Sequence, residues 1–115
     1  IVRFSRVALE FILDNFMTNA LRAVYNPDIR SGKVVISIND TLSGKYRAEV
    51  TDNGKGVPTQ YKEKLFTENM PSEYGQGMGL YWSRIWAEEN GGRVGYVRAK
   101  PTGATFFVEL DQEES

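Results

Sequence analysis

Cysteine and histidine are both absent from this chain of 115 residues. Without cysteine the chain forms no disulfide, has no thiolate nucleophile and offers no sulfur ligand to a metal, which fits a reducing compartment. Without histidine it has no imidazole for acid–base catalysis or metal binding. It also has no histidine to carry a phosphoryl group. Any chemistry that needs these side chains must therefore draw them from outside this sequence.

Long apolar runs and a strong charge of either sign are also missing. No apolar run approaches the ~20 residues that cross a bilayer, and no signal peptide is visible. The formal net charge of -1 argues against broad electrostatic binding to DNA or RNA, so we predict no nucleic-acid partner. The length fits one domain, residues 1–115, and the start at Ile1 is typical of a fragment of a larger protein. We expect a cytoplasmic location.

The patterns along the chain predict the order helix, two strands, two helices, two strands. Apolar residues spaced by three and four predict a helix over residues 5–24. The four predicted strands cover residues 33–39, 46–51, 93–98 and 104–110. A short helix at 58–66 and a longer one at 80–89 lie between the two pairs. The predicted fold class is α/β: a two-layer sandwich with a mixed, mostly antiparallel sheet and helices on one face.

Some of these patterns also identify candidates for the core. The stripe of the first helix consists of Leu9, Leu13, Phe16, Ala20 and Val24. Trp82 and Trp86 lie four apart on the last predicted helix, a spacing that is more often a packing stripe than a platform for stacking bases. We therefore assign both tryptophans to the core.

Two glycine-rich segments are the most informative part of the sequence. The first, DNGKGVP at 52–58, follows a predicted strand, so Asp52 lies at a strand end where it can face a pocket. The second, GQGMGL at 75–80, opens a helix, and a helix N-terminus favours phosphate. The carboxylate of Asp52 only accepts hydrogen bonds and would select adenine over guanine, with Gly54 and Gly56 letting the loop approach the base. Asp-Asn-Gly is also an ordinary turn sequence.

Polar residues of the first helix supply a second set of candidates. Asn15, Asn19 and Arg22 are spaced to share one face of that helix. Such a row is most often a solvated polar face. In the functional interpretation Asn19 is an oxygen ligand for Mg²⁺, and Arg22 neutralises phosphate oxygens. In the same interpretation the hydroxyl of Thr105 reaches the adenine edge, although Thr105 is also an ordinary strand residue. Residues 67–74 form either a lid or a plain connector.

Five segments occur in an order typical of one family. They are LDNFMTNALR at 13–22, DNGKGVP at 52–58, KLF at 64–66, GQGMGL at 75–80 and GATF at 103–106. They resemble the N box, first glycine box, F box, second glycine box and closing strand of the ATP-binding catalytic domain of two-component sensor histidine kinases. That domain belongs to the superfamily of gyrase, heat-shock chaperone, histidine kinase and mismatch-repair ATPases. The resemblance implies the Bergerat-type ATP-binding fold.

The resemblance also implies a role for each candidate, with ATP and Mg²⁺ as the bound groups. Asn19 would ligate Mg²⁺, and Asn15 and Arg22 would face the triphosphate. Asp52 would bind the adenine amino group, with Thr105 nearby through water. The other implied nucleotide contacts are Gly54, Gly56, Val57, Phe66, Gly75, Gln76, Gly77, Met78, Gly79 and Leu80.

Two positions depart from what the family carries. Ala23 stands where many members have an aromatic residue close to the base, and Tyr25 could replace it only if the helix end bends. Asn15 stands where the hydrolysing branches have a glutamate that deprotonates the attacking water. Because an amide is no general base at neutral pH, the site suits transfer of the phosphoryl group more than hydrolysis.

The implied function is therefore that of a protein histidine kinase, a transferase in two-component signal transduction. The phosphoryl group would pass to a histidine on a separate dimerisation domain and then to a response regulator. We expect the isolated domain to be monomeric and the parent protein to be a homodimer. The alternatives are a related serine kinase, such as an anti-sigma factor or a mitochondrial dehydrogenase kinase, a hydrolysing ATPase, and a degenerate nucleotide- or protein-binding module.

Overall fold

The computed structural model describes residues 6–25, 27–41, 44–67 and 78–111. Helices α1 and α2 span Arg6–Val24 and Gly79–Glu89. The strands β1 to β4 span Val34–Asp40, Lys45–Asp52, Arg93–Arg98 and Ala104–Asp111. Between β2 and α2 lies a short 3-10 helix at Thr59–Lys64. The predicted order of elements is confirmed.

The four strands form one sheet in the order β1-β2-β4-β3. All three pairings among these described strands are antiparallel, whereas the predicted mixed sheet allowed a parallel pair. Both α-helices pack on the same face of the sheet, and the core lies between the two layers. The structure is therefore the predicted two-layer α/β sandwich.

The buried face of α1 differs slightly from the predicted stripe. Its fully buried residues follow a strict spacing of four: Ala8, Ile12, Phe16 and Ala20. Leu9 and Leu13 are only partly buried and pack against the edge of the core. The buried face of α1 is rotated away from Leu9 and towards Phe11, on the opposite flank. The reason is that the Phe11 ring stacks on Trp86 of α2, with ring centroids 4.7 Å apart. Within the described residues, no helix combines the length and apolarity needed to cross a bilayer.

The two tryptophans of α2 have different environments. Trp86 packs against the core, as predicted, but Trp82 is 45% exposed, so its assignment to the core was wrong. The inward residues of α2 are Leu80, Ser83 and Ala87. At 100° per residue, Trp82 points away from this row. Ser83 takes an inward position because its hydroxyl donates to the Gly79 carbonyl (2.8 Å), which satisfies the buried polar group.

On the other face of the sheet, side chains of the strands pack around Phe107. The ring of Phe107, which is buried, lies over Gly95, where an added Cβ would approach it to within 2.2 Å. The guanidinium of Arg47 lies 3.5 Å from the centroid of this ring, and both Arg47 and Arg93 form ion pairs with the buried Glu109. The pairing compensates the burial of the Glu109 charge. The cover is partial, because Val35 and Val97 on the same face are 57% and 50% exposed.

The turn before β4 lies unusually close to the end of β2. Gly103 has φ +121°, and a Cβ there would lie 1.9 Å from the carbonyl oxygen of Asp52. No side chain fits at this distance, and the backbone angle itself disfavours L-residues. The pairing of Asp52 with Ala104 in the sheet therefore depends on glycine at 103.

We predict that Gly103→Ala lowers the free energy of unfolding by about 3 kcal/mol or more, through combined strain and clash. Gly91→Ala is the matched control, because Gly91 also has a positive φ (79°) but has no atom within 4 Å of an added Cβ. We expect about 1–2 kcal/mol for the control. Urea denaturation measures both values, and equal losses would contradict the proposed clash.

Candidate functional site

Asp52 is the buried acid around which the candidate site is built. It is the last residue of β2, points to the helix-covered face and is only 3% exposed. Its Oδ1 accepts a hydrogen bond from the backbone N–H of Gly54 (2.9 Å). Burial raises the pKa of Asp52, and hydrogen bonds from the Gly54 and Ala104 amides oppose this rise. The carboxylate is thus held at a strand end in a place that disfavours its charge.

The loop that follows Asp52 is held by side-chain contacts with the segment between α1 and β1. Asn53 donates from Nδ2 to the Ser31 carbonyl (2.7 Å) and accepts the N–H of Lys33 at Oδ1 (2.7 Å). Lys55 forms an ion pair with Asp28 (2.8 Å), and this contact lowers the pKa of Asp28. Because both anchors are in the connection between α1 and β1, they bring the loop to the C-terminal end of α1.

Gly54 and Gly56 of this loop are each needed for a different close contact. A Cβ on Gly54 would lie 2.8 Å from the carbonyl oxygen of Ala23 in the last turn of α1. Gly56 has φ +81°, and a Cβ there would lie 3.0 Å from the Gly103 carbonyl oxygen. The first glycine therefore lets the loop touch α1, and the second lets it touch the turn before β4.

The polar row of α1 runs along the flank that faces α2. It starts one turn after Phe11, which stacks on Trp86, and includes Asn15, Asn19 and Arg22. Asn15 and Asn19 are partly buried, whereas Arg22 is exposed near the end where the Gly54 loop arrives. Asn15 donates to the carbonyl of Phe11 (2.9 Å). The row thus leads along α1 towards the loop that carries Asp52.

The neighbouring position Asp14 is exposed, and the side chain of Asn15 is engaged by the backbone. No carboxylate therefore stands at the Asn15 position of this row. An amide held in this way can orient a group but cannot remove a proton from water.

Other predicted contacts lie around the same region of the helical layer. Phe66 packs against the core, with its ring edge-on to Phe106 at 6.2 Å. Its carbonyl accepts a hydrogen bond from Arg84 Nε of α2 (3.1 Å). Val57 also packs against the core, and Leu80 is buried. Gly79 is the first residue of α2, which has no side-chain hydrogen bond at its N-cap, Met78.

Part of the second glycine segment lies outside the described residues. Gly75, Gln76 and Gly77 fall there, as does most of the predicted lid. Their predicted contacts with nucleotide remain predictions. Tyr25 is described: its N–H still bonds to the Leu21 carbonyl (2.9 Å) and its side chain is 94% exposed. The end of α1 therefore does not bend to bring Tyr25 to the position beside Ala23.

The structure does not bring Thr105 to Asp52, which corrects the predicted role of its hydroxyl. Thr105 pairs with Thr51 across the sheet, and the two hydroxyl oxygens are 2.9 Å apart. Because successive residues of a strand point to opposite faces, Thr51 and Thr105 lie on the face opposite Asp52. The residue opposite Asp52 on its own face is Ala104, which has no hydroxyl. Because side chains alternate between the two faces of a strand, counting two residues back from the core residue Phe106 would have indicated position 104 as the one on the face of Asp52.

Known sequences and structures place this arrangement in a family. The sequence profile described as histidine kinase-, DNA gyrase B- and HSP90-like ATPase matches residues 5–114. The chain belongs to this family. Its curated relatives include the C4-dicarboxylate transport sensor protein DctB of Rhizobium meliloti, 35% identical over 107 residues. That alignment covers 92% of this chain and 17% of DctB.

Further similar proteins are also sensor kinases. The sensor protein kinase PilS of Pseudomonas aeruginosa is 35% identical over 102 residues, which cover 87% of this chain and 19% of PilS. The catalytic domain of histidine kinase ThkA superposes with a TM-score of 0.80 at 25% identity, covering 99% of this chain and 72% of that domain. Full-length ShkA in complex with AMPPNP gives 0.71 at 27% identity, covering 94% and 22%. This chain therefore spans about a fifth of DctB or PilS.

The raised pKa of Asp52 predicts the sign of a pH effect on stability. The folded protein retains this proton at pH values where the unfolded chain, with the ordinary value of 3.8, has lost it. The ionised carboxylate therefore lowers stability as pH rises through the folded-state pKa. We expect Asp52→Asn to gain stability relative to wild type between about pH 4 and 7.

Urea denaturation across this range measures the difference between the two proteins. Asp28→Asn is the control, because the ion pair with Lys55 lowers the Asp28 pKa and places the pH-dependent part of its contribution below the ordinary value of 3.8. Its difference from wild type should therefore stay nearly constant across this range. A constant difference between wild type and Asp52→Asn would contradict the role assigned to burial.

Proposed function

We propose that this domain binds Mg-ATP and holds the γ-phosphate for transfer to a histidine on another domain. The observation that carries the proposal is the buried Asp52 carboxylate, placed beside the loop that touches the end of α1. Family membership and the similarity to sensor kinases support it. Three features support it: the acid at the end that would bind the base, the polar groups at the end that would bind the phosphates, and the chemical groups that the chain lacks.

At the base end, the Asp52 carboxylate accepts the N–H groups of Gly54 and Ala104 and keeps further lone pairs for a donor on a ligand. A carboxylate accepts from the exocyclic amine of adenine, whereas guanine offers a carbonyl at the matching position. Because the Ala104 side chain adds no polar group beside Asp52, recognition of the base edge rests on this one side chain.

At the phosphate end, the proposal uses the polar row of α1 and the first turn of α2. Arg22 is exposed and pairs with no acidic side chain in the described part of the chain, so its guanidinium is available to phosphate oxygens. Free amides in the first turn of α2 add partial positive charge. Asn19 has the amide oxygen that a hard cation accepts, and it would hold Mg²⁺ together with the phosphates. The bound metal would neutralise phosphate charge during transfer.

The missing groups favour transfer over hydrolysis. Asn15 supplies no base for water, and the chain contains neither histidine nor cysteine to act as a covalent acceptor. Phosphoryl transfer depends mainly on positioning and charge neutralisation, which a domain without its own nucleophile can provide. The acceptor would be a dimerisation domain of the parent protein, and the next acceptor a response regulator receiver domain. We place the domain in the cytoplasm, as a monomer when isolated and within a homodimeric parent.

The first test is nucleotide binding measured by calorimetry. We expect Asp52→Asn to weaken Mg-ATP binding about tenfold or more, since it removes a hydrogen bond from a charged acceptor. Thr105→Val is the control, because Thr105 faces the opposite side of the sheet and should leave the affinity unchanged. Equal loss in both variants, or equal affinity for Mg-GTP and Mg-ATP, would count against adenine recognition by Asp52.

The second test is transfer of label from γ-labelled ATP. Mixed with the separate dimerisation domain, the chain should label a histidine there, while steady-state hydrolysis without acceptor stays slow. Asn15→Glu places a carboxylate where water could be activated, and we expect it to raise hydrolysis relative to transfer about tenfold or more. Fast hydrolysis by the wild-type chain with no labelling would support a hydrolysing ATPase instead. Binding without either reaction would support a degenerate module.

A further inference from the structure

A second cleft, of about 230 Å³, opens between the start of the 3-10 helix and the end of β3. It shares Gly56 and Val57 with the loop after Asp52, but neither Asp52 nor any residue of α1 lines it. Besides the apolar Val57 and Pro58, its side chains are basic, hydroxylic or aromatic, and no carboxylate of the described residues lines it. Those with a polar or charged group are Lys55, Thr59, Lys62, Tyr96, Arg98 and Thr102.

The charge of this basic cleft is only partly compensated. Lys55 is paired with Asp28 at 2.8 Å. Lys62 and Arg98 form no ion pair with any side chain in the ranges that the structure describes. Cations gathered around one concave surface raise its local potential and attract anions. The basic cleft therefore has an excess of positive charge that its own surroundings do not neutralise.

The wall of the basic cleft is fixed by close backbone contact. Gly56 (φ +81°) and Gly103 (φ +121°) approach so closely that a Cβ on Gly56 would lie 3.0 Å from the Gly103 carbonyl oxygen. Both residues line the cleft. The two turns therefore form a preformed concave wall, which lowers the entropic cost of holding a small ligand.

Unused hydrogen-bonding groups also line the basic cleft. Tyr96 forms part of its wall, and the Tyr96 hydroxyl is buried without a hydrogen-bond partner. A buried polar group without a partner is rare and is commonly explained by a bound ion, water or ligand. The Thr102 hydroxyl makes only a long contact to the Asn53 carbonyl (3.5 Å). The Thr102 hydroxyl is thus available to an anion beside the cations, whereas the Tyr96 hydroxyl is buried in the wall.

We propose that the basic cleft is an anion site that accepts a phosphate group, either as inorganic phosphate or as a small phosphate monoester. The guanidinium of Arg98 and the ammonium of Lys62 bind its oxygens, and the hydroxyls complete the contacts. The site adjoins the proposed nucleotide site and does not depend on that function. Since both sites share Gly56 and Val57, an anion in the cleft touches the loop that carries the adenine-binding acid.

The test is a titration of the chain with inorganic phosphate, and in a second arm with glycerol phosphate, at constant ionic strength. Amide shifts in two-dimensional NMR give the location and the dissociation constant. We expect saturable shifts at Gly56, Thr102 and Gly103 in at least one arm, and the tighter arm identifies free phosphate or the monoester as the preferred form. Lys62→Gln and Arg98→Gln should each weaken binding about tenfold.

Lys64→Gln is the matched control, because it removes the same charge from the same 3-10 helix at a residue that does not line the cleft. It should change the affinity less than about twofold. Lys62, Lys64 and Arg98 are all exposed, so the variants should fold, which thermal unfolding checks. Shifts without saturation, equal losses in all three variants, or shifts centred on Asn19 and Arg22 would each overturn the proposal.

Discussion

The close approach of the Gly103 turn to the end of β2 is the constraint on which this structure depends. It leaves no room for a Cβ between the turn and the Asp52 backbone, and it sets Ala104 opposite Asp52 in the sheet. The same turn touches Gly56, so both segments next to Asp52 are in contact with each other. The Asp52 side chain is buried beside these turns, and its burial raises its pKa. A rearrangement at this turn would change the site and the sheet together.

The two faces of the sheet serve different purposes because their cover differs. On the helix side, α1 and α2 cover the sheet, and Asp52 is buried on this face. On the other side, Phe107 and its ion-paired neighbours cover only part of the sheet. Whether a strand residue can take part in the proposed nucleotide site thus depends on which face of the sheet carries its side chain. Thr105 shows this clearly, since a shift of one position moves its hydroxyl away from Asp52.

The loop between β2 and the 3-10 helix connects the two binding regions that we propose. Asn53 and Lys55 anchor it to the connection after α1, and Gly54 presses against Ala23. Its later residues, Gly56 and Val57, line the basic cleft. The two ligands that we propose would therefore contact one structural element.

From the sequence alone we could predict the order of the elements and the two-layer α/β class. Periodicity predicted these features because burial on one face leaves a direct imprint on a helix or a strand. It could also indicate that Asp52 ends a strand and that glycine is needed nearby. Only the tertiary structure decided which face each strand residue takes at the site, that Trp82 lies outside the core, and that Lys62 and Arg98 share one cleft. These outcomes depend on strand register and on contacts between distant segments, which no local pattern encodes.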